Sequence, residues 1–549
     1  MKKVLSIVLT IVMMTALFSG CGKTKDTETD TKTPSNVTKT PTESKDPTPT
    51  ESKDPTPTEE AKIDISEPVT LTWYLHGSTV TDDKAVLEKA NAYLKDKLNV
   101  TLKPIWGTWG DFNDNVVLSI SGGDDVDIYF TCSWTQNEYN AFARNGAWLR
   151  LDQEGNNLIE KYAPDIWNLL PQVLKTGATV PGNDGLGVYA IPGYKDSATQ
   201  NCWDVNVTLL EKYGYTIDDI KKSDYYSFGD ILKTVKEGEG ADFYPLNVEG
   251  MVLERMVNNS IIVAGDSGIS NMLSYYMNPI DTAKEGIYGN KILSKFETPE
   301  YKKFVEKTRE YYLAGYIDPK MAIRSQANDT RVAAQDSGKY LIGTQSYALG
   351  YEAEASARRG VNVQMVPVTP AYLDTAVSQG AMMAISAGCK NPERAVMFLN
   401  LLNTDPYLMT LLNYGIEGVH YDIVNGGEAR LNKEARTSYS PWTNGMGNIT
   451  LLPPLEGQGL DFWDNFKAYY GACSEVPILG YCFNATSVEN QLAALANAAL
   501  EYDLALNTGS IDPATKLDEF IQKLKDNGID QVVAEANTQL DNFLKEKNK

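Results

Sequence analysis

Histidine is nearly absent from this chain of 549 residues, which holds two, His76 and His420. With no HExxH run either, a zinc hydrolase centre would have to be built from very little. No GxSxG turn and no GxxxxGK[ST] loop occurs, so esterase and P-loop phosphate chemistry have no motif behind them. Cysteine is scarce as well. The six residues, Cys21, Cys132, Cys202, Cys389, Cys473 and Cys482, lack the tight spacing of a disulfide framework. At most Cys473 and Cys482 could pair, and buried free thiols are the plainer reading. Positive charge falls short of negative, 50 Lys and Arg against 72 Asp and Glu, for a net charge of -22. Nucleic acid and an anionic membrane surface would both be repelled.

What is present begins at the N-terminus. Lys2 and Lys3 precede an apolar run from Val4 to Phe18, too short to span a bilayer comfortably, which reads as a signal peptide. Ser19 and Gly20 are small enough for a peptidase pocket, and Cys21 supplies a thiol that can be acylated. Leu17-Phe18-Ser19-Gly20-Cys21 resembles the lipobox of bacterial lipoproteins, with Phe18 where the pattern usually has Leu. That resemblance implies Cys21 as the lipid-carrying first residue of the mature protein. Residues 22–67 are Thr, Lys, Asp, Glu, Ser and Pro with almost nothing apolar, and so are expected to stay disordered. Pro-Thr-Glu-Ser-Lys-Asp-Pro-Thr occurs twice, from Pro41 and from Pro49, which suits an extended tether.

The remaining length exceeds the roughly 250 to 300 residues at which one hydrophobic core stops growing, so at least two lobes are expected. Strand patterns at 69–75, 100–106 and 127–131 alternate with helical patterns at 82–98 and 111–121. Helices at 136–145 and 158–170 follow. This alternation predicts an α/β fold with a mainly parallel sheet, whose ligands sit beyond the carboxyl ends of the strands. His76, Ser78, Trp109, Ser133 and Trp134 occupy such positions. Later helices are predicted at 299–314, 393–402 and 405–413, with short strands at 339–345 and 361–366. Three helices close the chain, at 488–506, 513–527 and 529–545.

Several stretches invite a catalytic reading and do not sustain it. Ala264-Gly-Asp-Ser-Gly268 looks like a protease nucleophile turn, but Ile269 stands where a second glycine belongs and the chain alternates strand with helix. Asp124, Asp125 and Asp127 lie beside Gly122 and Gly123 as a turn and strand start would. The glycines of 182–187 precede a strand instead of opening a helix, so a turn is the better reading than a dinucleotide loop. The aromatic inventory, nine Trp and 31 Tyr, is more informative. Trp134, Tyr347 and Trp442 stand in loops among Ser, Thr, Asn and Gln, which suits a ligand with an apolar face and a hydroxyl rim, as a sugar ring has. Trp73, Trp167 and Trp463 lie inside periodic segments and are assigned to packing.

Gly185-Leu-Gly-Val-Tyr-Ala-Ile-Pro192, the helix at 299–314 and Lys339-Tyr-Leu-Ile-Gly-Thr-Gln-Ser-Tyr347 follow the lipobox and spacer in order. Gly380-Ala-Met-Met-Ala-Ile-Ser386 and Tyr414-Gly-Ile-Glu-Gly-Val-His-Tyr421 come after them. This set resembles the extracellular solute-binding lipoproteins of bacterial ABC importers, in the carbohydrate-binding, maltose-binding-protein-like branch. The resemblance implies a two-lobed periplasmic-binding-protein type II fold with a hinge, an interlobe cleft and a helical C-terminal tail. Lobe 1 would hold residues 68–194 and 378–425, and lobe 2 residues 195–377 and 426–549. It implies a non-catalytic, monomeric protein without cofactor or metal, anchored by Cys21 at the outer face of a Gram-positive membrane, that hands an oligosaccharide to a permease. Trp109, Trp134, Tyr347 and Trp442 would stack on sugar rings. His76, Glu417 and Asn444 would bond hydroxyls, with Tyr194, His420 and Tyr481 completing the cleft. A binder of peptides or another polar solute, and a surface glycoside hydrolase or adhesin, stay open as alternatives.

Overall fold

The computed structural model describes residues 64–77, 79–108, 111–134, 138–265 and 271–547. Cys21, Ser78 and Trp109 lie outside the described residues, as does nearly all of the expected tether. Its last residues, 64–67, are held against the body: Arg394 donates to the Asp64 carbonyl at 2.9 Å and the Asn99 amide to the Ser66 carbonyl at 2.9 Å.

The alternating pattern becomes β1 (Val69–His76), α1 (Lys84–Leu98), β2 (Val100–Gly107), α2 (Phe112–Gly122) and β3 (Ile128–Thr131). Val86, Ala90 and Leu94 put one face of α1 into the core, and Asn99 in the left-handed region ends the helix so that β2 can begin at once. The expected helix at 158–170 is two, Leu158–Tyr162 and Pro164–Leu169. Pro164 has no N–H to continue the first helix and serves as the opening residue of the second.

Two sheets organise the rest of the chain. The first has the order β2-β1-β3-β9-β4, where β4 is Ala190–Pro192 and β9 is Met382–Ile385. β1 runs parallel to β2 and β3, and β9 is antiparallel to both of its neighbours, so the sheet is mixed. The second has the order β8-β5-β7-β6, built from β5 (Asn201–Asn206), β6 (Leu246–Asn247), β7 (Ile342–Ser346) and β8 (Val363–Pro367). Here β5 is antiparallel to β7 and β8, while β6 is parallel to β7. The chain passes from the first sheet to the second at 193–200 and returns at 368–381.

Helices pack around the second sheet: α3 (Gly250–Asn258), α4 (Pro299–Leu313), α5 (Arg324–Asp336) and α6 (Tyr351–Arg359). Against the first sheet lie α7 (Pro392–Thr404) and α8 (Pro406–Tyr414), each opened by a proline. The end of the chain adds α9 (Phe462–Gly471), α10 (Glu489–Asn507), α11 (Pro513–Asp526) and α12 (Ile529–Lys547). They pack beside the second sheet's helices through apolar contacts such as Phe520 of α11 on Phe296, just before α4, with ring centroids 4.7 Å apart.

The third crossing, expected near Asn425, comes later, between about residue 452 and α9. Asn425 and Gly426, with φ of 50° and 79°, make the tight turn of a hairpin between Tyr421–Val424 and Glu428–Leu431. Beyond it Tyr439–Ser440 pairs with Thr79–Val80, and the Tyr439 hydroxyl donates to the Leu412 carbonyl at 2.7 Å. The Ile449 amide then donates to the Tyr194 carbonyl at 3.0 Å. Residues from 426 to about 452, expected in the second lobe, thus stay with the first sheet.

Candidate functional site

The directions of the strands locate the site. β4 lies parallel to β3 through their shared antiparallel neighbour β9, so Pro192, Thr131 and His76 end on one edge of the first sheet. Both crossings use that edge. In the second sheet β5 starts and β8 ends beside the crossings, and β7, antiparallel to β5, ends at Ser346 on the same edge. The two edges that face the crossings are therefore where a ligand reaches both sheets.

On the first edge an aromatic wall forms. His76, at the end of β1, lies on Phe112 with centroids 3.8 Å apart and a 27° interplanar angle. Trp442 meets His76 edge-on at 5.9 Å, Phe130 at 5.5 Å and Trp134 at 5.7 Å. The Trp134 indole N–H donates to the Gly380 carbonyl at 2.8 Å, which fixes the ring, and the side chain remains 49% exposed. Gly445 makes room for Trp442, because a Cβ there would stand 2.4 Å from the indole Cε3. Asn444, next in sequence, is exposed. His76 by contrast is buried, and it backs the wall instead of lining it. Burial pushes its imidazole down to about 4, with the Asp111 carboxylate opposing only in part, so the ring is neutral at ordinary pH.

A second aromatic group gathers where the second sheet meets α9. The Tyr347 and Tyr469 rings are 5.1 Å apart, Tyr469 and Tyr470 5.0 Å, and Phe466 and Tyr470 4.5 Å, with Tyr194 6.5 Å from Phe466. Gln200 holds the group together: its carbonyl accepts from the Tyr347 amide at 2.8 Å and its side-chain oxygen from the Tyr469 hydroxyl at 2.9 Å. Burial raises the phenols of Tyr194 and Tyr347, so both are neutral donors. Between the groups Lys195 pairs with Asp196 at 2.8 Å, and a Cβ at Gly380 would come 3.1 Å from the Lys195 Nζ. Both crossings are thus packed together beneath Trp134.

The fold brings Trp134, Trp442, Asn444 and the supporting His76 together, and Tyr194 with Tyr347 form the facing group. Three expected residues lie elsewhere. Tyr481 is buried, donating to the Ala536 carbonyl at 2.8 Å and packing on Phe543. His420 accepts the Ile416 amide at its Nδ1 and packs on Tyr439. Glu417 lies on the exposed turn just before it. All three sit in strings of aromatic and polar residues like those of the real wall, and only their partners distinguish them. Missed in the sequence were Phe130, Phe466, Tyr469 and Gln200. The aromatics of α9, at 462, 463, 466, 469 and 470, recur at helical spacing, which marks a continuous face but not what that face meets. Cys473 and Cys482 are not joined.

Comparison with known proteins identifies the family and the fold. The family model for bacterial extracellular solute-binding proteins matches residues 77–409, and one for a domain of unknown function, DUF3502, matches residues 477–545. A carbohydrate ABC transporter substrate-binding protein of Streptococcus pneumoniae is 27% identical over 490 residues, which is 88% of this chain and 93% of that one. The crystal structure of an N-glycan transport solute binding protein from Streptococcus pneumoniae superposes with a TM-score of 0.71 at 26% identity, covering 88% of this chain and 100% of that one. The same protein in complex with Man5GlcNAc gives a TM-score of 0.66 at 26% identity, covering 88% and 99%.

Proposed function

The chain belongs to the bacterial extracellular solute-binding proteins, and on that premise we propose that it captures an oligosaccharide between its two sheets and delivers it to an ABC permease. The observation that carries this reading is Trp134, whose N–H is satisfied internally while about half of its surface is left bare, 49%, against the edge of Trp442. A ring face without a free polar group is what the C–H face of a pyranose packs against. The relatives narrow the ligand to a carbohydrate, and the N-glycan transport protein suggests a mannose-rich chain ending in GlcNAc.

The mechanism is closure. Ligand settles on the Trp134 and Trp442 wall, and the Tyr347 and Tyr469 group adds its contacts when the lobes approach about the crossings. One lobe is the first sheet with residues 68–192, 382–425 and the hairpin segment through about 452, and the other is the second sheet with the C-terminal helices. The protein acts without catalysis, as a monomer, with Cys21 carrying the lipid that holds it at the outer face of the membrane. Calorimetric titration with Man5GlcNAc, shorter mannosides and a peptide panel tests the reading. Saturable binding of the glycan with none of the peptides is expected, and peptide binding in its place, or release of reducing ends from the glycan, would overturn it.

A further inference from the structure

The second sheet's edge carries a polar feature that neither aromatic group uses. β6 is parallel to β7, so its carboxyl end opens on the same edge as Tyr347, and Glu249 lies two residues beyond it. There a hollow of about 170 Å³, on the scale of one monosaccharide ring, is lined by Glu249, Arg324, Arg331 and Asp503 together with apolar residues such as Met321 and Leu504. Its outer wall is α5, and of the residues in that helix only Gln335 is buried. Core packing therefore does not account for where α5 sits.

A chain of hydrogen bonds does. Arg331 donates to Gln335 at 2.9 Å and to Asn328 at 3.1 Å, and Gln335 donates to the buried carboxylate of Asp204 at 3.3 Å. The Arg331 carbonyl in turn accepts the Asn247 amide at 3.0 Å. The guanidinium is thereby fixed from behind, with its Nε 3.9 Å from Glu249 Oε2. That gap is too long for a hydrogen bond. The Glu249 side chain is half exposed, at 50%, and the Arg331 side chain 20%. A carboxylate and a guanidinium held side by side but not joined offer an acceptor and a donor to neighbouring hydroxyls. The opposite wall is already neutralised, since Arg324 pairs with Asp503 at 3.1 Å. Two cations and two anions line the hollow, which favours an uncharged ligand over an acidic one.

We propose that this hollow is the second sheet's share of the binding site and takes one neutral sugar residue, Glu249 accepting from one hydroxyl and Arg331 donating to the next. The assignment rests on the oligosaccharide reading. It is tested by titrating the wild type, Glu249→Gln, Arg331→Gln and Trp134→Ala with Man5GlcNAc and with an acidic oligosaccharide of equal length. Glu249→Gln and Arg331→Gln should each weaken Man5GlcNAc binding by about tenfold or more, and Glu249→Gln should do so while the unliganded melting temperature stays at the wild-type value. Arg331 touches the Asp204 chain, so if its variant melts early the Glu249 variant decides. Binding within about twofold of wild type in Glu249→Gln, while Trp134→Ala loses affinity, would overturn the assignment and leave the function standing. Tighter binding of the acidic chain than of Man5GlcNAc would overturn its neutral character. A wild type that binds no glycan would instead bring down the functional reading itself.

Discussion

Trp134 commits its indole N–H to Gly380, so under the proposed function it would meet ligand through its ring face. Trp134→Ala should therefore cost on the order of 1 to 3 kcal/mol of glycan binding, and Trp134→Phe, which keeps an aromatic face, less. Titration calorimetry reads both, and unchanged affinity in the alanine variant would take Trp134 out of the site. His76 behaves differently because it is buried behind the wall. Its folded value, about 4, lies below the ordinary 6.5, so the unfolded chain binds more protons between the two. The stability it lends is full above pH 6.5 and is lost progressively as pH falls toward 4. Urea midpoints from pH 7 to pH 4 should fall more steeply for the wild type than for His76→Phe, and parallel curves would refute this.

At the scale of elements, the return crossing contains a buried carboxylate of opposite sign. Asp374 caps the short helix Thr375–Ser378 by accepting the Val377 amide at 2.7 Å. Burial raises it to about 6, with the Val377 amide and Arg255 opposing. A raised acid contributes its stability below the unfolded value and loses it as pH rises through the folded one. Asp374→Asn keeps the cap and removes the charge, so it should raise the melting temperature at pH 7.5 and leave it unchanged near pH 4. In the second sheet, Asp204 on β5 accepts from Tyr340 at 2.7 Å, from Tyr351 at 3.0 Å and from Arg359 at 2.8 Å, tying α6 to the strand. Arg359→Met leaves that carboxylate buried without its cation. A loss of about 3 to 5 kcal/mol in urea unfolding is expected, and a loss under about 1 would show the pair to be dispensable.

For the whole molecule, closure about the crossings predicts a smaller radius of gyration with saturating Man5GlcNAc, measured by small-angle scattering, and no change with a peptide. Lys195 and Gly380 bring the crossings together beneath Trp134, so in the proposed mechanism binding at the wall and bending at the crossings would be adjacent events. The fold was largely legible because its elements are marked locally. Asn391-Pro392 and Asp405-Pro406 announce α7 and α8, and the apolar stripe of α1 announces its core face. The site was legible only in part. Trp134 and Trp442 stand out because loops rarely bury tryptophan among polar neighbours, whereas His420 and Tyr481 carry the same chemistry into the interior and nothing near them in sequence says so.

By itself the sequence determined the order of strands and helices and the family those elements belong to, since each is written in short-range composition and period, and it is the source of the expectation of a signal, an acylatable Cys21 and a polar tether. Only the tertiary structure decided which aromatics share a wall, that 426–452 stays with the first sheet, and that Glu249 stands beside Arg331 across 82 residues of chain. Those are long-range pairings. They depend on which edge a strand ends at and what packs behind it, and no local pattern encodes that.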